Sequence, residues 1–265
     1  MKKNLPTEFI FQLFALLIAV IMVHAVYVAL IRPQAAEVME EQNLMIAEDP
    51  NYVVERSFYV IVQDFEQESC FVLMLWAFSI MGYKGWTATR ERTLLQQNLI
   101  PIAEGMRILP ADTREYARNI QALPTDQQQL LLPRTLLTAL HRFGATGSVQ
   151  DTSTTAHTLV ETEAERLESE LSMVRYIAWA IPSIGFIGTV RGIGAALSQA
   201  HRAVEGDISG VTQNLGVAFN STFIALLISI VLMFLVHQLQ SLQERQIFDT
   251  ESYVDEKLIR HLQGS

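Results

Sequence analysis

"IPSIGFIGTVRGIGAAL" (residues 181–197) decides how this chain is built. Its apolar residues suit a helix in lipid, yet it also carries Pro182, glycines at 185, 188, 192 and 194, Thr189 and Arg191. Lipid offers no hydrogen-bond partner to backbone or polar groups, so such a segment must face protein or water on at least one side. Extended back to Tyr176, it is long enough to cross a bilayer core, which takes roughly 20 residues as a helix.

The rest of the chain agrees with a membrane setting. Half of its 265 residues are hydrophobic, the mean hydropathy is +0.23 and the net charge is −9. Apolar residues are bunched, whereas a soluble domain mixes them with polar ones. Phe9 to Ile31 is apolar apart from Gln12 and His24, and Leu215 to Val236 is apolar apart from Asn220, Ser221, Thr222 and Ser229. The first run is longer than a cleaved signal's core and no small-x-small site follows it, so it is expected to be a retained span. Net negative charge speaks against a nucleic-acid partner. The single cysteine, Cys70, excludes an internal disulfide.

The expected fold is all-α: a polytopic membrane protein with four transmembrane helices and a helical cytoplasmic domain between spans two and three. The expected bounds are a cytoplasmic N-terminus (1–8), spans at 9–31, 69–83, 173–198 and 213–237, a periplasmic segment (32–68), the cytoplasmic domain (84–172), a periplasmic turn (199–212) and a cytoplasmic C-terminal helix (238–265). The second span is short, and extending it backwards sets Asp64, Glu66 and Glu68 at the outer interface. Orientation follows from charge: segment 32–68 has two arginines against nine acids, whereas 84–172 has nine Lys or Arg residues. The positive-inside rule therefore puts both termini and 84–172 inside. Within that domain, Thr125 with Gln128 is expected to form a capping box. "GATGSVQDTSTTAH" reads as a loop by composition. The patch from Thr158 to Trp179 reads as a helix running unbroken into span three.

No Asp or Glu lies inside the four spans so defined, so a carboxylate for ion transfer is expected from another chain. Thr189 and Thr222 each fall about seven or eight residues from the outer ends of antiparallel spans, at a common depth of roughly 10–12 Å. Two hydroxyls at one depth can hold a water or a guest carboxyl; either one alone can instead bond its own i−4 carbonyl. Gly188 and Gly192 form a GxxxG pair, and Gly185 extends the stripe one turn. The stripe suits close helix packing and suggests several copies packed around a partner, with Pro182 and Ser221 among the packing or pore-lining positions. Pro182 frees a carbonyl that needs a protein or water partner. Arg191 must pair with an acid or carbonyl nearby, or take part directly in ion traffic. His24 reads as a packed or hydrogen-bonded histidine.

These residues resemble a known family. "RLESELSMVRYIAWAIPSIGFIGTVRGIGAAL" followed by "LGVAFNSTFIALLISIVLMFLV" is similar to the MotA/TolQ/ExbB proton-channel family, over roughly residues 160 to 240. The motif is Pro-x-x-Gly-x-x-Gly-Thr, then a span with a small residue and Thr near its outer third. The resemblance implies a stator or energiser subunit of the bacterial inner membrane, a homopentamer around a dimer of single-span MotB/TolR/ExbD-like partners that carry the essential aspartate. It implies that Thr189 and Thr222 line the ion pathway, that H⁺ moves (Na⁺ being the alternative) and that no cofactor is needed. The motif is of the Tol and Exb type, while the span count is that of the flagellar branch. Arg191 stands where the family usually has an apolar residue.

Two functions remain open on the sequence: an ion-driven motor subunit, or a passive scaffold whose glycines and threonines only pack helices. No metal-ligand cluster, nucleophile elbow or phosphate loop is present, so enzyme activity is not expected.

Overall fold

The computed structural model describes residues 7–49, 52, 55–102, 106–204 and 206–264. Among these, every regular element is a helix. They are α1 (Thr7–Val26), which passes through a π turn (Tyr27–Ile31) into α2 (Arg32–Glu48), then α3 (Phe58–Val62), α4 (Phe65–Leu95), α5 (Thr113–Gln121), α6 (Thr125–Gln128), α7 (Leu131–Thr146), α8 (Val149–Glu170), α9 (Ser172–Ser198), α10 (Ala200–Val204) and α11 (Ser209–Lys257). The chain divides into two compact units.

The first unit takes the residues up to Met81 together with Met173–Val236. Many of its buried positions are small, among them Ala19, Ala35, Cys70, Ala77, Ala178, Ala196, Ala218 and Ala225, and they alternate with larger ones such as Ile80, Ile177, Ile181 and Leu232. Many of its large side chains, Phe14, Trp179, Phe186, Val190, Phe223 and Phe234 among them, point outward. That inverts the pattern of a soluble domain and is what a lipid surround selects. Three helical stretches, Phe9–Glu48, Val149–Ser198 and Ser209–His261, are long and apolar enough to cross a membrane. The expected second span lies in α4 and is not one of the three. Its apolar run is cut short by Glu66 and Glu68 on one side and Lys84 on the other.

The second unit takes Gly82–Ser172 and His237–Ser265. Here large residues are inside: Ile100, Ile108, Ile120, Leu132, Leu136, Leu140 and Phe143 form one core with Val254, Leu258 and Leu262. A single bridge, Ile108 to Leu262, ties the C-terminal segment to it, with Gln263 N–H donating to Ile108 C=O at 3.0 Å.

Three local expectations need correction. The presumed loop 144–157 is only Gly147 and Ser148: α7 ends where Gly147 takes φ 63°, and α8 starts at once, Ser148 Oγ accepting from Asp151 N–H. The Ser/Thr composition misled because Thr152 and Thr155 return their hydroxyls to i−4 carbonyls, at 2.8 and 2.7 Å, and so fit a helix. The capping box does not form: α6 is capped at Pro124, and Gln128 donates back to Gln121 and Leu123 carbonyls. The helix entering span three is interrupted at Leu171, between α8 and α9.

Candidate functional site

The pairing of α9 with α11 is dictated by small residues. A Cβ on Gly185 would meet Ala225 Cβ at 2.6 Å, one on Gly188 would meet Ser221 Cβ at 2.5 Å, and one on Gly192 would meet Ala218 N at 2.7 Å. The two backbones therefore meet with no room for a side chain between them, the close packing on which helix association in lipid draws. The expectation that this stripe faces neighbouring copies or a partner is thereby corrected: the chain's own α11 fills it. Ser221 is buried in that contact and donates to Val217 C=O at 2.9 Å.

Close packing brings Thr189 and Thr222 together. Their hydroxyls are directly hydrogen-bonded. Thr189 Oγ1 also lies 3.0 Å from Ala218 C=O and 3.3 Å from Gly185 C=O, and Thr222 Oγ1 lies 3.1 Å from Gly185 C=O. Two hydroxyl protons thus face two carbonyls and each other. Either Thr189 donates to Thr222, which donates to Gly185, or Thr222 donates to Thr189, which donates to Ala218. The pair is half-buried, leaving a lone pair open to a guest.

Pro182 sits inside α9 and has no N–H, so Ala178 C=O loses its helical donor. Ser229 on α11 supplies the missing bond, donating to Ala178 C=O at 3.0 Å. Nothing in the sequence pattern singled Ser229 out; the signal was a serine on the facing helix opposite the carbonyl four residues before the proline.

Arg191 points away from the hydroxyl pair. Its guanidinium grips Glu66 with two bonds, 2.7 and 2.8 Å, and reaches Asp64 at 3.4 Å. His24 Nδ1 donates to Glu68 Oε1 at 2.7 Å, and Arg32 pairs with the other oxygen of Glu68. Glu66 and Glu68 are buried, and Glu66 Cγ lies 3.2 Å from where a Gly188 Cβ would be. Glu66 is thus level with Gly188 on α9, its carboxylate held by Arg191. Asp64, Glu66 and Glu68 went unrecognised as site residues; the arginine in a span was the clue, since its cost there requires an acid within reach.

Comparison with known proteins gives one match. Residues 128–252 match the family model described as the MotA/TolQ/ExbB proton channel family, a span that holds the whole of α9 and nearly all of α11. No curated protein and no solved structure matches the chain. Over residues 128–252, which hold the glycine-packed helix pair and the apposed threonines, this chain is similar to the MotA/TolQ/ExbB proton channel family, whose members are membrane subunits of the channel or energiser type.

Proposed function

We propose that the chain is the channel subunit of an ion-driven motor of the bacterial inner membrane, with four spans, both termini inside, and the second unit as its cytoplasmic domain. In this reading a homopentamer surrounds a dimer of a single-span partner, and protons pass a partner aspartate at the level of Thr189 and Thr222. The observation that carries it is the apposed hydroxyl pair within the family-matched segment. A hydroxyl can donate to a carboxylate and accept from a carboxylic acid, so it serves both states of a carboxyl that loads and releases a proton. A hydrogen bond to a charged group is worth about 1.5–3 kcal/mol, or roughly ten- to a hundredfold in the ionisation equilibrium. Valine keeps the shape of threonine and offers neither bond.

The test is proton flux and motor output in the Thr189→Val, Thr222→Val double variant, with partner pull-down in parallel. A fall in flux of about tenfold or more with undiminished pull-down is expected, and Ser79→Ala, where the hydroxyl only bonds Leu75 C=O, is the control. The scaffold reading has one observation in its favour: both hydroxyls are already satisfied within the chain. Full flux in the double variant would establish it.

A further inference from the structure

The second unit holds a groove between α8 and the C-terminal part of α11, with a volume of about 480 Å³. Its floor is apolar, formed by Ala164, Leu167, Leu171 and Ile247. Its rims are acidic: Glu161, Glu165 and Glu168 from α8, and Glu244 from α11. No Lys, Arg or His is among the lining residues. The adjoining face of α8 is built differently. There Glu163 is paired with Arg134 and Arg166, and Glu170 with Lys84 and Arg166. Glu161 and Glu165 have no such partner among the described residues, although like charges four residues apart repel and weaken a helix.

One more polar group faces this space. Gln243 lines the groove, is only 5% exposed, and its amide makes no hydrogen bond among the described residues. A buried amide without a partner costs stability. Its place in the groove follows from the helix register. α8 and α11 run antiparallel here, since higher residue numbers on one meet lower numbers on the other. His157 Nδ1 lies 3.7 Å from Glu251 Oε1. Counting along both helices from that contact brings Glu165 about level with Gln243, with Glu244 beside it.

Spacing then selects a ligand. With 1.5 Å of rise per residue, Glu161 and Glu165 are about 6 Å apart along α8, and Glu165 and Glu168 about 4.5 Å. A zigzag alkyl chain advances roughly 1.25 Å per bond, from bond lengths of about 1.5 Å. Nitrogens separated by four methylenes are therefore about 6 Å apart, and nitrogens separated by three about 5 Å. A linear triamine with one linker of each length, as in spermidine, carries its ammonium groups at the spacing of these carboxylates. Its secondary ammonium has two hydrogens, one for Glu165 and one for the carbonyl oxygen of Gln243, with Glu244 adding negative charge beside them. The methylenes lie on the apolar floor, as lysine stems do. Glu168 already has a contact within the chain, and a carboxylate has lone pairs for more than one donor. A bare metal ion is a poorer match, because no His, Cys, Asp and Glu group among the described residues is arranged to hold one.

We infer that this groove is a binding site for a linear alkyl triamine, held by Glu161, Glu165, Glu168, Glu244 and Gln243. The site is independent of the channel reading, and its test involves no flux.

That test is titration calorimetry of the full chain in nanodiscs of zwitterionic lipid, at about 0.15 M salt, with spermidine as the probe. Saturable binding of one spermidine per chain is expected. Glu161→Gln and Glu165→Gln should each weaken it by about tenfold or more, the loss of one hydrogen bond to a charged group. Glu256→Gln, outside the groove, should leave it unchanged. Gln243→Leu keeps the volume and removes the unpartnered amide. It should weaken binding severalfold while the denaturation midpoint stays level or rises, a combination that a packing role for Gln243 does not produce. 1,4-Diaminobutane, which reaches only one pair of carboxylates, should bind about tenfold more weakly than spermidine. The site is overturned by an absence of saturable binding, by binding that survives all three groove substitutions, or by magnesium ion binding as tightly as spermidine. Tight binding of a lysine-rich peptide with none of spermidine also overturns it, and would make the groove a protein-docking surface.

Discussion

The two units of this protein solve helix packing in opposite ways. In the first, α9 and α11 meet through Gly185, Gly188, Gly192, Ala218, Ser221 and Ala225, and many bulky residues, Phe186, Val190 and Phe223 among them, are turned out. In the second, Phe143, Leu136, Leu140, Ile120 and Ile108 are wholly buried and fill the space between helices. Water makes burial of large apolar surface favourable, by about 25 cal/mol per Å². Lipid does not, so contact between backbones has to replace it. The consequence is a difference in tolerance. The glycine seam should fail on addition of atoms, and the second unit's core on removal of them.

The largest effect is expected at the seam. Gly192→Ala places a methyl 2.7 Å from Ala218 N, a backbone atom that cannot turn aside. Helix separation should follow, with flux lost and protease resistance of the first unit lowered. Gly194→Ala, with nothing within 4 Å, should leave both unchanged. Equal behaviour of the two variants would break the comparison. Next comes Phe143→Ala, where an emptied cavity costs about 3–5 kcal/mol. Pulse proteolysis of the full chain in denaturant should show the second unit opening earlier while the seam stays intact.

The smallest effect concerns Glu91. It is buried in the second unit, its Oε2 accepting from Gln246 Nε2 at 2.7 Å and Leu131 N–H at 3.2 Å. Burial pushes its carboxyl above the ordinary value, and the Glu163 charge adds to this, against the lowering by those donors. The folded chain therefore holds a proton that the unfolded chain has already released. The stability this gives is fully present below the unfolded value, near about pH 4.3, and is lost as pH rises through the folded value. Glu91→Gln removes this dependence. Its denaturation midpoint should match the parent's in acid and exceed it at alkaline pH. A constant difference at all pH values would show that Glu91 holds no such proton.

Much of the first unit was legible because lipid leaves a strong mark on sequence. Long apolar runs, the Gly185-Gly188-Gly192 stripe and Pro182 each have few physical meanings there. The apposition of Thr189 and Thr222 followed from counting residues along two antiparallel spans. What the stripe packs against did not, because a small-residue face serves an intrachain neighbour and a second copy equally well. The roles of Glu66, Glu68 and Ser229 were hidden because they complete groups far away in sequence: Arg191, His24 with Arg32, and the carbonyl opposite Pro182. In the second unit, Thr152 and Thr155 read as loop residues because composition does not reveal a hydroxyl bonded back to its own helix.

The bond from Ser229 to Ala178 belongs to the same ladder as the threonine pair. Along α9, Ala178, Gly185, Gly188, Thr189 and Gly192 meet, in reverse order, Ser229, Ala225, Ser221, Thr222 and Ala218 on α11. Such a ladder works like the teeth of a closed zip. A slip of one turn, about 5.4 Å, would take the serine off its carbonyl, part the two threonines and drive side chains into every glycine notch at once. No partial slip keeps some contacts and spares the rest, so the two helices cannot creep past one another. Any motion within the first unit has to carry α9 and the facing stretch of α11, up to Val236, together as a single rigid pair.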